Sequence, residues 1–153
     1  MVVESYLLKP PKDYTTAPPA AVHGQRGDKA TMEITTLLEF THRDQLRNWL
    51  LEHGEEAKEC WIAMYRSKRP PCPAACLPYI DVVEEALCFG WIDSTLKRLP
   101  DGRLAQRLSP RRKRSHWTEL NKQRCADLET RGLMTEAGRK ALAMAQENRI
   151  IER

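Results

Sequence analysis

The chain has 153 residues, 41% of them apolar and 30% charged, and a formal net charge of +4. That length buries a real core and normally builds one domain, and the composition is that of a folded protein rather than a disordered or fibrous one. The longest charge-free apolar stretch, Pro70 to Ile80, is short and broken by prolines, so no membrane-spanning helix is expected. Glu4, Lys9, Lys12 and Asp13 interrupt the apolar run that a signal peptide requires, which makes a cytoplasmic location the expectation.

In chain order, residues 1–31 read as a disordered leader, punctuated by Pro10, Pro11, Pro18, Pro19, Gly24 and Gly27 with no lasting apolar period. Met32 opens an apolar stretch with Ile34, Leu37, Leu38 and Phe40, which predicts a first strand and the start of one domain over 32–150. Thr41 is placed to cap a helix, with Asp44 three residues on and Gly54 at its stop. Leu46, Trp49 and Leu50 recur at helical spacing between them. Cys60 to Tyr65 is a continuous apolar run that predicts a buried strand. Pro70, Pro71, Pro73 and Pro78 then force a loop.

From Tyr79 the period is helical: Ile80, Val83 and Leu87 mark a core face, Asp81, Glu84 and Glu85 the opposite one, and Gly90 closes the helix in the left-handed conformation. Trp91 to Leu99 and Arg103 to Ser109 read as two strands joined at Pro100-Asp101-Gly102, where proline presets φ and glycine accepts a positive one. Ser115 is placed to cap a further helix through Arg131, stopped by Gly132, with Trp117, Leu120 and Leu128 towards the core. Thr135 caps a last helix running to about Asn148. No internal repeat is visible.

Five cysteines form an odd set that argues against a disulfide framework. Cys60 and Cys88 lie in apolar runs and are expected to be buried. Cys72 and Cys76 form a C-x3-C pair without a second Cys/His pair to complete a zinc site, so no metal and no other cofactor is expected and the two are read as free thiols.

Charge is concentrated in one segment. Lys97 to Arg124 holds ten Lys/Arg against two Asp/Glu, a local balance of +8 that leaves −4 for the rest. Such density attracts phosphates, nucleic acid or acidic proteins, with an affinity that falls as salt is added. The alternative is a solvated hairpin whose arginines pair with the acidic remainder.

The candidate ligand-binding residues are Arg107, Arg111, Arg112, Lys113, Arg114, Ser115, Trp117 and Asn121, supported by Asp93 and His116. Arg111 to Arg114 precede the helix expected at Ser115, so an anion would meet cations and free backbone N–H groups together. Arg107 joins them if its side chain points to that face of its strand. Trp117 is either a stacking platform or core. Asp93 is either a base or the carboxylate that orients Arg107 or Arg111. Asn121 either bonds a ligand or ties the hairpin to the helix.

Three segments carry a family resemblance: Glu85-Ala86-Leu87-Cys88-Phe89-Gly90-Trp91-Ile92-Asp93, Gln106 through Trp117 with Asn121, and Gly132-Leu133-Met134-Thr135-Glu136-Ala137-Gly138. In this order they resemble the YdeI/OmpD-associated family, also labelled bacteriocin-protection proteins and similar to the wider YjbR/CyaY-like group. The resemblance covers about Met32 to Ile150. It implies an α+β fold, a small antiparallel sheet packed against helices with a C-terminal helical pair. It also implies a link to envelope stress and antimicrobial-peptide tolerance, and brings no catalytic residues with it. Members usually begin near the position of Met32 and continue past that of Arg153 into a basic helical segment.

Three function classes follow. A non-enzymatic binding protein would use the basic segment for a phosphorylated molecule or nucleic acid. A structural or protein-interaction module would dock an acidic partner there. A small enzyme would use Asp93 and His116 with the arginines as clamps, although no P-loop, nucleophile elbow or GxGxxG is present.

Overall fold

We describe residues 33–152 from a computed structural model of the chain, with side chains described through Glu147. The expected leader and Met32 lie outside the described residues. The fold is α+β. Three long strands form an antiparallel set: β2 (Cys60–Tyr65), β4 (Trp91–Arg98) and β5 (Leu104–Pro110), in the order β2-β5-β4. Two short strands, β1 (Leu37–Leu38) and β3 (Leu77–Pro78), add in parallel along the other edge of β2, so the sheet is mixed there. The strand expected from Met32 to Phe40 is thus only two residues long where described.

The helices are α1 (Arg43–His53), α2 (Tyr79–Cys88), α3 (Glu119–Thr130) and α4 (Glu136–Glu152), the last two forming the C-terminal pair. Strand alternation sorts the core into two clusters. Cys60, Ile62 and Met64 of β2 face the helices with Leu108 and Trp91, forming a core with Leu46, Leu50, Val82, Val83, Leu87 and Leu128. Trp61 and Ala63 face the other way with Ala105, Leu37 and Leu99, a smaller cluster on the far side of the sheet.

Several expected boundaries shift, each for a local reason. His42, not Thr41, caps α1: His42 Nδ1 accepts from the Asp44 N–H, and Gln45 Oε1 accepts from the His42 and Thr41 N–H groups. Gln45 carries a reach that Asp44 lacks, so the box forms one residue later. The α2 face is rotated relative to expectation. Ile80 is 42% exposed while Glu85 is 1% exposed, because Arg43 and Arg47 of α1 draw that carboxylate inward. Ser115 does not start α3; Thr118 caps it, its Oγ1 accepting from the Asn121 N–H, and Leu120 is 54% exposed rather than core. Trp117 and Leu128 are buried as expected.

Gly90 and Gly132 close α2 and α3 at positive φ, 76° and 75°, as their positions predict. In the β4–β5 hairpin Gly102 takes φ 95°. A one-residue bulge lies between Asp93 and Leu96 of β4. Gln106 of β5 donates to the Thr95 carbonyl inside it, giving the displaced backbone a partner. The expected buried thiols Cys60 and Cys88 are buried, and so is Cys125.

Candidate functional site

The basic segment divides once it is folded. Arg103 is fully buried, its Nε on Asp101 at 2.9 Å and its Nη1 on Glu39 at 2.9 Å and on the Ala75 carbonyl. Arg107 pairs across from Trp61, on the sheet face away from the helices, and donates to Glu59 at 2.6 Å and Ser94 at 3.2 Å. Alternation along β5 therefore removes Arg107 from the expected cluster, and Asp93 does not orient it. Lys122 bridges Glu119, and Arg124 donates to Asn121 Oδ1. Asn121 is thereby engaged within α3 and ties no part of the hairpin to the helix.

Arg111 is different. Pro110 ends β5 and the Arg111 N–H donates to the Gly90 carbonyl, which fixes the point where the chain leaves the sheet beside the close of α2. The guanidinium carbon sits over Trp117, 3.9 Å from the ring centroid. Nη1 donates to Ser115 Oγ at 2.9 Å and the His116 carbonyl at 3.3 Å, while Nε and Nη2 are buried with no hydrogen-bond partner. Trp117 therefore serves as the floor under Arg111, and its buried ring is no platform for a base. His116 is exposed and contributes its main-chain carbonyl.

Asp93 pairs with Leu108 across β4 and β5, which sets it on the helix face of the sheet. Its charge reaches Arg111, but Asp93 forms no ion pair among the described residues. Burial lowers the basicity of Arg111 against the favourable charge of Asp93. Burial likewise pushes the Cys125 thiol up, with Arg111 opposing it.

Arg112, Lys113 and Arg114 stand exposed in the turn between β5 and α3, closed by the Ser115 N–H to the Arg112 carbonyl at 3.0 Å. Four residues separate Arg114 from the first helical residue, Glu119, so the cations do not adjoin the helix N-terminus as expected. The structure thus brings together Arg111, Ser115, Trp117 and the His116 carbonyl, with Asp93 nearby, places Arg107 on the other face of the sheet and engages Asn121 with Arg124 on α3.

A second charged cluster escaped the sequence reading. Arg43 donates to Glu85 at 2.7 Å, Glu84 at 2.9 Å and Asp81 at 3.2 Å; Arg47 reaches Glu85 at 3.0 Å and Arg131 reaches Glu84 at 3.2 Å. Burial alone would raise Glu84, but Arg131 and Arg43 win and hold it below the usual carboxylate range. The signal was present: arginines one turn apart on α1 and carboxylates one turn apart on α2. This cluster joins α1, α2 and the end of α3; Arg43 Nη2 lies 2.7 Å from Glu85 Oε2 but makes no hydrogen bond.

Among the described residues no three His, Cys, Asp or Glu side chains converge as a metal site, and no helix is long and apolar enough to cross a membrane. No curated protein and no solved structure matches the chain. A family described as a domain of unknown function, DUF8412, matches residues 38–141, a span from β1 to the first half of α4 that takes in every element of the sheet and the Arg111 site, and the chain belongs to that family.

Proposed function

We propose that this protein is a non-enzymatic binding protein that holds a phosphate-bearing ligand on the basic turn from Arg111 to Arg114. The observation that carries this reading is the exposure of Arg112 and Arg114, when Arg103, Arg107, Lys122 and Arg124 are all engaged internally. Arg112 and Arg114 form no ion pair among the described residues, and residues 109–118 contain no acidic side chain. Cations so placed release counterions on meeting phosphates, which gives affinity and salt dependence together. The enzyme reading is weaker because His116 presents its carbonyl to Arg111 and the sequence carries no catalytic motif. The YdeI/OmpD-associated resemblance extends the proposal to a cytoplasmic role in envelope stress.

The test is a titration of labelled single-stranded oligonucleotide and of a small phosphomonoester at several salt concentrations, using the parent and R112A/K113A/R114A. The triple variant is expected to bind at least tenfold more weakly, with a salt slope for the oligonucleotide shallower by about 2 to 3. Unchanged binding by the triple variant would sink the proposal.

A further inference from the structure

We propose that Arg111 is the recognition centre of this surface, and that the side-on edge of its guanidinium, Nε and Nη2, receives two oxygens of one terminal phosphate. This inference rests on the reading of the basic turn just given. A guanidinium offers parallel N–H pairs that match the oxygen spacing of a carboxylate or phosphate, and the Nε/Nη2 pair is one of them. At four other described arginines the Nε of that edge is occupied. Arg43 Nε donates to Glu85 at 2.7 Å, Arg103 Nε to Asp101 at 2.9 Å, Arg107 Nε to Glu59 at 2.6 Å and Arg139 Nε to Glu129 at 2.8 Å.

Arg111 alone among these five leaves both Nε and Nη2 buried and without an acceptor. Its remaining nitrogen is committed to Ser115 and His116, and its face is committed to Trp117, so the guanidinium is held in one plane with one edge unused. Buried donors of a charged group without acceptors are costly, and an oxyanion on that edge removes the cost.

The neighbourhood selects the anion. Asp93 is close enough for its charge to be felt at Arg111 yet makes no ion pair with it, so it partly offsets the positive field without filling the edge. A monoanion gains little against that carboxylate. A phosphate monoester carries about −1.5 to −2 charges at neutral pH and also draws on Arg112, Lys113 and Arg114 at the turn. Nε and Nη2 are covered in the described conformation, so the phosphate enters by displacing neighbouring groups. The turn that follows Arg111 holds a backbone bond from Ser115 to Arg112 and the two bonds donated by Arg111 Nη1.

The experiment titrates inorganic phosphate, phenyl phosphate and acetate against the full chain by calorimetry, with tryptophan fluorescence of parent and W117F identifying the signal from the ring under Arg111. Phosphate and phenyl phosphate are expected to bind at least tenfold more tightly than acetate. R111K, which keeps the charge and loses the fork, is expected to weaken phenyl phosphate about ten- to a hundredfold. D93N removes the opposing charge and is expected to tighten it severalfold.

R112A/K113A/R114A is expected to weaken all three anions while keeping the preference for phosphate. If R111K binds phenyl phosphate within twofold of the parent and the triple variant does not, the basic surface stands and the fork is overturned. If both variants bind like the parent, both readings fall. Should R111K fail to fold, D93N decides: an affinity no greater than the parent's overturns the inference.

Discussion

Arg103 and Arg111 sit eight residues apart in the same basic segment and meet opposite fates. Arg103 is enclosed by Glu39, Asp101 and the Ala75 carbonyl, so its charge is compensated where it is buried. Replacing it with methionine leaves Glu39 and Asp101 without that partner, and R103M is expected to lower stability by about 3 kcal/mol in chemical denaturation. The cysteines separate in the same way. Burial pushes the Cys88 thiol up to about 11 and raises Cys60, Cys125 and Cys76, while Cys72 and Cys76 are only half-buried. Thiolates are the reactive form and reagent access is also required, so Cys72 is expected to label first in the native protein and the half-buried Cys76 next. Mass-spectrometric mapping of a thiol reagent's first two adducts checks the order; early labelling at Cys60 would contradict the packing.

At the level of elements, the docking of α4 on the end of α2 accounts for two of the three signature segments. The Cys88 carbonyl accepts from both the Thr135 N–H, at 3.1 Å, and Thr135 Oγ1, at 2.6 Å, and that hydroxyl in turn accepts from the Gly138 N–H. An orphan carbonyl at one helix end is thus satisfied by the first turn of another. Contact this close needs glycine: a Cβ at Gly138 would lie 2.3 Å from the Cys88 carbonyl oxygen, and one at Gly90 would lie 2.9 Å from Ala141 Cβ. G138A is expected to cost about 1–3 kcal/mol through overpacking, and T135V about 1–2 kcal/mol through the lost hydroxyl bonds. Thermal unfolding of each variant measures both, and a G138A protein as stable as the parent would show that α4 docks less closely than described.

For the whole molecule, the ion cluster between α1, α2 and α3 sets an acid limit. Glu84 has a folded pKa below its ordinary value of 4.5, so its contribution is complete above that value. It is lost as pH falls through 4.5 and is gone below the depressed folded value, because the unfolded chain takes up the proton first. E84Q is therefore expected to be less stable than the parent near neutrality and to show a flatter decline in unfolding free energy between about pH 5 and pH 3. Two unfolding curves with the same acid slope would remove Glu84 from that role.

Much of this architecture was legible in the residues. Pro100-Asp101-Gly102 specifies the hairpin, Gly90 and Gly132 specify helix ends, and the run from Cys60 to Tyr65 specifies a buried strand, because each is dictated by neighbours in sequence. The α2 polar face was misjudged since carboxylates are read as solvent-seeking until an arginine on another helix is placed opposite them. The start of α3 was misjudged for a related reason: Ser115 has the chemistry of a cap, but its hydroxyl accepts from Arg111 instead.

The sequence alone determined an α+β order of elements and a concentrated basic segment, with Arg107 and Arg111 through Trp117 as its candidate ligand-binding residues. Only the tertiary structure decided which cations are engaged within the fold, since pairing depends on strand parity and on carboxylates distant in the chain. It turned Arg103 and Arg107 onto Glu39 and Glu59, and left the Nε and Nη2 of Arg111 without an acceptor. Local patterns set what each segment can form; long-range contacts set which charges are already satisfied.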